Sequence, residues 1–329
     1  SQVARESVGG SGPSDFDEDD PLGSSHAQTP EKFAQLGDLS GTVRFVTGTA
    51  SHSRRYQGDG GGAVRATLNF PTAVALDAEG HLYIADTMNH RARRVDARTG
   101  VITTIAGTGQ HRYSGDGGPA VSASLNEPSA LVVDPQRGCL YIADQSNNRV
   151  RKVDQATGII TTVAGTGQAA YTGDGLPATE AALAGPSGLA LDPDGRLYIA
   201  DTFNGRIRMV DMDTGLISTV AGDGGAYRYQ GHPNEFSTSL SRPYGIAIDP
   251  EGHLLLTDSD SHLIRRWDRW KKIVTLVAGN GVAGFGGDGG PAQESCLNYP
   301  FGVAVDRQGN VYIADTFNHR IRRIAASQP

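Results

Sequence analysis

From residue 37 onward the chain is punctuated by short apolar runs that close on an aspartate, such as Ala73–Asp77 (AVALD) and Gly302–Asp306 (GVAVD). A turn with glycine follows each, as in Glu79-Gly80, Asp194-Gly195 and Glu251-Gly252. Glycine supplies the positive φ that a tight hairpin needs. A second run, LYIAD or a close variant, comes next. A short loop leads to a third, for example Arg206–Asp211 (RIRMVD), and a Thr-Gly turn to a fourth, for example Ile160–Ala164. Short runs rich in β-branched residues, separated by turn signals, read as four antiparallel strands.

The unit repeats. The aspartate that closes the second run falls at Asp86, Asp144, Asp201, Asp258 and Asp315, at intervals of 58 residues once and 57 thereafter. A fixed period of this length with strand content predicts an all-β propeller, one four-stranded blade per repeat and five blades in all. The last repeat stops after its third strand. A fourth-strand sequence stands instead at the other end, Thr42–Thr47 (TVRFVT) followed by Gly48-Thr49. Pairing it with the last blade is expected to close the ring and remove its open edges. The domains are then an arm over 1–36 and a propeller over 37–329.

The arm is rich in Ser, Gly, Pro and acid. It carries Glu6, Asp15, Asp17, Glu18, Asp19, Asp20 and Glu31 against Arg5 and Lys32. It cannot bury enough apolar surface to fold alone, and is expected to be a solvated extension or a contact to a partner protein. The whole chain has 329 residues and a formal net charge of −7, of which the arm holds −5. That balance disfavours nucleic acid, which calls for clustered Lys and Arg. No apolar run is long enough to span a membrane as a helix. The chain starts at Ser1 without an apolar leader, as a processed secreted or lumenal protein would, so a secreted, periplasmic or organelle-lumenal location is expected. Cys139 and Cys296 are too few to make a disulfide framework.

LYIADTFNGRIRMVD and VYIADTFNHRIRRI resemble NHL repeats, and the connecting GDGGPA segments are similar to those of secreted bacterial NHL proteins and of the teneurin NHL segment. The resemblance covers about residues 41–325. It implies a propeller, usually of six blades, and a range of roles: sensing, adhesion, scaffolding, RNA binding and, in a few cases, lyase chemistry.

Two kinds of residue recur in the repeats. Asp86, Asp144, Asp201 and Asp315 are each followed five residues later by arginine, at Arg91, Arg149, Arg206 and Arg320, and two further on by another, at Arg93, Arg151, Arg208 and Arg322. A carboxylate ending one strand should meet a guanidinium on the next, and a feature this regular builds blades rather than a site. Gly-Asp-Gly recurs around Asp59, Asp116, Asp174 and Asp288, followed in three cases by Pro-Ala, which suggests a helix start. Calcium is the alternative there, although one carboxylate per loop is few for that ion. No cofactor is otherwise expected. An aromatic (Tyr56, Tyr113, Tyr171, Tyr229 or Phe285) precedes each loop and is expected to pack.

Function should lie where the repeat breaks. In a propeller the connections from strand four to strand one and from strand two to strand three share a face. The largest break there is in the fourth blade, where GDGGAYRYQGHPNEFSTSLSRP replaces the usual loop and Asp260-Ser261-His262-Leu263 replaces the usual turn. Tyr227, Arg228, Tyr229, His232 and His262, with Arg54, Arg55 and Arg112 from neighbouring loops, form the expected partner-binding patch; aromatic and Arg side chains on a rigid rim anchor interfaces. The strands facing the bore read AVAL, ALVV, GLAL, GIAI and GVAV, with no His, Cys or Lys. That favours a non-catalytic interaction or scaffold propeller, part of a larger assembly through its arm and loop face. A glycan- or ligand-binding module comes second, and a metal-dependent lyase or hydrolase third.

Overall fold

The computed structural model describes residues 46–47, 56–225 and 239–326. Within them lie nineteen strands, linked by short 3-10 turns. Blade 1 is β1 (Ala73–Leu76), β2 (Leu82–Asp86), β3 (Arg91–Val95) and β4 (Ile102–Ala106). Blade 2 is β5 (Pro128–Asp134), β6 (Cys139–Asp144), β7 (Arg149–Asp154) and β8 (Ile160–Ala164). Blade 3 is β9 (Pro186–Leu191), β10 (Arg196–Asp201), β11 (Arg206–Asp211) and β12 (Ile217–Ala221). Blade 4 is β13 (Pro243–Ile248), β14 (Leu254–Asp258), β15 (Leu263–Asp268) and β16 (Ile273–Ala278). Blade 5 is β17 (Pro300–Val305), β18 (Val311–Asp315) and β19 (Arg320–Ile324).

Each sheet is a simple antiparallel meander, β1-β2-β3-β4 and its equivalents, and blade 5 has three strands among the described residues. The five blades make the all-β propeller that the period predicts. The arm over 1–36 and residues 42–45 of the expected closing strand lie outside the described residues. Of that strand's end, Thr47 donates its hydroxyl to the Ala63 carbonyl at 3.0 Å. The N–H of Gly107, Gly165 and Gly279 reaches the equivalent carbonyls of Ala120, Ala178 and Ala292.

Apolar faces of adjacent blades interlock. Tyr83, Ala85 and Ala92 of blade 1 pack on Leu140, Ile142, Val153 and Ile160 of blade 2, and the pattern continues around the ring. Hydrogen bonds stitch each blade to the next at the inner end. Thr87 Oγ1 donates to Pro128 O at 2.8 Å, Ser129 Oγ to Pro186 O at 3.3 Å, Thr202 Oγ1 to Pro243 O at 2.7 Å and Ser259 Oγ to Pro300 O. The loop that enters a blade also runs along that blade's outer strand. Gly60 N–H reaches Ile102 O, and Ile102 N–H reaches Gly61 O; blades 2 and 3 repeat the pair. Outer edges that could pair with other chains are covered in this way.

The Gly-Asp-Gly loops do not start α-helices. Pro119, Pro177 and Pro291 precede single 3-10 turns without side-chain caps. Their aspartates are engaged elsewhere. Asp116 accepts from Arg151 Nη2 at 2.7 Å, Tyr113 Oη at 2.8 Å and Thr162 N at 3.0 Å. Asp59 and Asp174 do the same with Arg93 and Arg208. Burial would raise these three carboxyls, but the bonds from Thr104, Thr162, Thr219 and their arginines outweigh it and hold them below the usual range.

The blade ion pair is also not the one in direct register. Asp86 is opposite Arg91 in the β-ladder. Adjacent ladder partners at the strand end leave the Arg91 guanidinium outside, where it bonds Asn89 O and Thr108 O and lies 3.5 Å over the Tyr56 ring. Arg149, Arg206 and Arg320 sit likewise over Tyr113, Tyr171 and Phe285, so these aromatics pack as expected, while Tyr229 lies outside the described residues. The fully buried Asp86, Asp144, Asp201 and Asp315 meet the second arginines instead: Arg93, Arg151, Arg208 and Arg322, at 3.0–3.4 Å. Residues two apart on a strand share a face, so alternation does not separate the two arginines; the first stands at the strand end over the aromatic ring, and the second is one step further in, where the aspartate of the entering loop closes over it.

Blade 4 is the exception. Leu263 replaces the outer arginine and is buried, and Arg265 pairs with Asp258 at 3.2 Å. The loop position that elsewhere supplies the second carboxylate is His232, outside the described residues. Burial pushes the Asp258 carboxyl up to about 6, against the pull of Arg265. A folded-state pKa above the unfolded value of 3.8 stabilises the fold below about pH 4, and that contribution is lost as pH rises through 6. The stability of the wild type relative to Asp258→Asn should therefore fall by about 2 kcal/mol from pH 4 to pH 7. Urea titrations across that range check it; a difference that grows with pH refutes it.

Candidate functional site

The mouth of the bore is built from repeat positions that carry no duty in the ionic frame. Three sets of equivalent residues surround it. The tip of each strand-two-to-three turn holds Met88, Ser146, Phe203, Asp260 or Phe317. The residue before the proline that opens each inner strand is Phe70, Glu127, Gly185, Arg242 or Tyr299, all at positive φ. The residue after that proline is Thr72, Ser129, Ser187, Tyr244 or Phe301. The backbone is the same five times over, and the chemistry is different each time.

On blades 4 and 5 these positions make one aromatic surface. Tyr244 and Phe301 lie 4.6 Å apart between centroids, Phe301 and Phe317 6.0 Å, Tyr299 and Phe317 5.1 Å, and His262 and Tyr299 4.6 Å edge to face. Arg242 sits 5.8 Å over Phe203, completing the arc toward blade 3. Phe317 and Phe203 are 56% and 57% exposed. Exposed aromatic clusters of this kind on a rigid rim mark interaction surfaces. Below them opens a cavity of about 500 Å³. Its wall is apolar, with Leu131, Leu189, Ile246 and Val303 from the inner strands, as the sequence pattern predicts. The polar groups converge at the mouth: Ser129, Ser187, Thr87, Gln145 and Glu127.

Two residues of the expected patch, His262 and Arg112, lie within the described residues. His262 is in the aromatic cluster; its Nδ1 accepts the Tyr299 N–H at 3.1 Å, and burial lowers its pKa. Arg112 is exposed on the same face, and its carbonyl accepts from Asn147 in the neighbouring turn at 3.0 Å. Tyr227, Arg228, Tyr229, His232, Arg54 and Arg55 lie outside the described residues. Phe203, Tyr244, Phe301, Phe317, Phe70 and Tyr299 were not singled out by the sequence. Stacking the repeats and reading down the columns beside each proline would have found them, because F, E, G, R, Y is no structural consensus.

Among the described residues, no group of three or more His, Cys, Asp or Glu is placed to hold a metal ion. The four Gly-Asp-Gly carboxylates weighed for calcium are each paired with an arginine, and Asp59 and Asp116 also accept a backbone N–H. Cys139 and Cys296 are free thiols, and burial raises the pKa of Cys139.

Residues 105–328 match the SMP-30/gluconolactonase/LRE-like region, and residues 29–114 match the teneurin NHL domain. The chain is 32% identical over 270 residues to SUPPRESSOR OF QUENCHING 1, chloroplastic, of Arabidopsis thaliana, covering 79% of this chain and 25% of that protein. It is 27% identical over 294 residues to NHL repeat-containing protein 2 of Gallus gallus, covering 78% of this chain and 39% of that one. It is 27% identical over 301 residues to human teneurin-1, covering 75% and 10%. The chain thus spans well under half the length of these relatives. Among solved structures, a chain of the nidogen/laminin complex superposes with a TM-score of 0.55 at 17% identity, covering 79% of each chain. A Bacteroides thetaiotaomicron protein of unknown function superposes at 0.51 and 19% identity, covering 85% and 74%. Both show the fold. With the family match spanning most of the described propeller, the chain belongs to the SMP-30/gluconolactonase/LRE-like family and builds its blades from NHL-type repeats.

Proposed function

We propose that this propeller is a non-catalytic binding module that recognises a protein partner at the bore mouth, as a subunit of a larger assembly. The aromatic arc from Phe203 through Tyr299, Phe301 and Phe317 to His262 carries this reading. The NHL-containing relatives support the interaction role. The acidic arm over 1–36 supplies a second contact, and Arg112 extends the first.

The test is a comparison of faces. Phe203→Asp with Phe317→Asp should reduce cross-linked partner capture at least tenfold, because charged groups replace desolvated anchors. Trp270→Ser, in a strand-three-to-four turn at the opposite end of blade 4, should leave capture unchanged although it removes a more exposed aromatic. Deleting residues 1–36 should weaken capture further. Equal capture by all variants rejects the mouth as the binding face. Binding of the double variant's parent to a glycan array, with no protein captured, would favour the glycan-binding alternative.

An enzyme is the second reading, because the matched family includes gluconolactonases. Glu127 is the carboxylate that lines the cavity, accepting from Ser146 Oγ at 2.5 Å; its own N–H goes to His90 Nδ1 at 3.1 Å, and among the described residues no His or second acid lines the cavity. Lactone hydrolysis by the chain, lost in Glu127→Gln, would install that reading.

A further inference from the structure

Three joints between blades are closed by a side chain that takes a backbone N–H of the next blade. Each side chain belongs to the residue that ends a strand-two-to-three turn in the left-handed conformation. Each N–H belongs to the residue before the proline that opens the next inner strand. Asn148 Oδ1 accepts from Gly185 N at 2.9 Å. At the other two joints the acceptor is a histidine. His90 Nδ1 accepts from Glu127 N, and His262 Nδ1 from Tyr299 N, both at 3.1 Å. Between blades 3 and 4 the equivalent position is Gly205, with no side chain to offer. The two histidines thus hold residues of the bore mouth: Glu127 lines the cavity, and Tyr299 supports Phe317 in the aromatic arc.

An imidazole nitrogen accepts a hydrogen bond only while it is unprotonated, so neutral His90 and His262 carry their proton on Nε2. A second proton sets N–H against N–H and breaks the bond. Burial is the largest influence on both side chains, and both titrate below the ordinary 6.5. His90 faces His111, with ring centroids 5.5 Å apart, and Arg91, which oppose a charge, and Glu127, which favours it. His262 faces Asp260 and Asp315, which favour a charge, but Arg242 lies 3.3 Å from the first and Arg322 3.4 Å from the second. The buried His81 and His253 make the same kind of bond within their own blades, to Ala97 N and Arg269 N. There, however, Asp96 stands 3.4 Å from the His81 Nδ1 and Asp268 3.6 Å from the His253 Nδ1, so an arriving proton finds a carboxylate.

We propose that His90 and His262 are an acid-sensitive latch on the bore mouth: protonation at Nδ1 frees Glu127 and Tyr299 from the turns of the preceding blades, while the Asn148 joint stays shut. The direction follows from linkage. A histidine whose folded pKa lies below its unfolded value contributes fully above about pH 6.5 and loses that contribution as the pH falls through the folded value. The latch is therefore closed at neutral pH and opens in acid. Opening releases the N–H of Tyr299 and the edge-to-face contact of its ring with His262, and with them the placement of Phe317. Binding at the mouth then weakens in acid, a consequence that rests on the mouth being the binding face.

Amide hydrogen exchange in the full chain, followed by NMR and corrected for the intrinsic pH dependence of exchange, reads each joint without a partner. Protection at Glu127 and Tyr299 should fall about fivefold between about pH 7.5 and pH 5, the effect of one lost hydrogen bond, while protection at Gly185 holds. His90→Asn and His262→Asn copy the Asn148 joint. Each should abolish the fall at its own joint and leave it at the other, and His111→Asn should leave both. Constant protection at Glu127 and Tyr299, an equal fall at all three joints, or a fall that persists in the asparagine variants overturns the proposal. Partner capture should weaken over the same range in the wild type and hold in the double asparagine variant. Capture that stays constant while the joints open counts against the mouth as the binding face and not against the latch.

Discussion

Replacing Arg151 by alanine should cost about 3–5 kcal/mol and lower the melting temperature by roughly 10 °C, whereas Arg149→Ala should cost about 1 kcal/mol. The two arginines are two residues apart on β7. Arg149 lies 3.7 Å over the Tyr113 ring and bonds two carbonyls at the surface. Arg151 is fully buried. It bonds Asp144 at 3.0 Å, Asp116 at 2.7 Å, and the carbonyls of Ser114 and Ser124. Its removal leaves a carboxylate at Asp144 with its counter-charge gone, in a place where burial already pushes the pKa up. A buried ion pair adds little over an apolar substitute, but half of one is strongly unfavourable. It would also free the loop around Asp116 from the blade it enters. Calorimetry on the two variants checks the contrast. Equal losses would mean that the frame is not built from the second arginine of each repeat.

Gly188→Val should be nearly as damaging, at about 3 kcal/mol, for a reason with no electrostatics in it. Gly188 is on β9, the inner strand of blade 3. A Cβ there would fall well inside van der Waals contact of the Tyr244 carbonyl oxygen on β13. Gly245 repeats the arrangement one blade later, with an added Cβ 2.6 Å from Phe301 O. Neighbouring inner strands approach backbone to backbone at these points, and a side chain would wedge blades 3 and 4 apart. Gly302→Ala in blade 5 would meet only the Ala314 methyl at 3.2 Å and should be tolerated within about 1 kcal/mol. Urea denaturation of the two variants checks the difference. A mild Gly188→Val would show that the bore can widen freely.

The fold was legible because each blade repeats its strand pattern and its turn glycines; β8 and β11 start and end where the segments read from the chain do. Less legible was which of two arginines faces inward. Both spacings from Asp144 were visible, but the two arginines share a face of β7, and it is the entering loop with Asp116 that encloses Arg151 and leaves Arg149 at the strand end over Tyr113. The Gly-Asp-Gly-Pro-Ala segments suggested helix starts because local propensity favours one; backbone bonds to the outer strand allow only a single 3-10 turn. The site was the hardest part. Rarity of sequence pointed to the fourth blade's long loop, whereas the aromatic arc uses ordinary-looking positions such as Phe203 and Phe317, whose turn, Thr-Phe-Asn, looks like part of the consensus. Their significance depends on Ser146 and Asp260 standing at the same tip in other blades.

A wheel whose tips vary on a constant backbone can change what it recognises. The tips and the residues before each proline keep one backbone conformation whatever side chain stands there, while the buried charges sit further along the strands. Mutation at those positions can therefore redraw the recognition pattern with little penalty to folding, and one ancestral wheel could be re-addressed to new targets without being rebuilt.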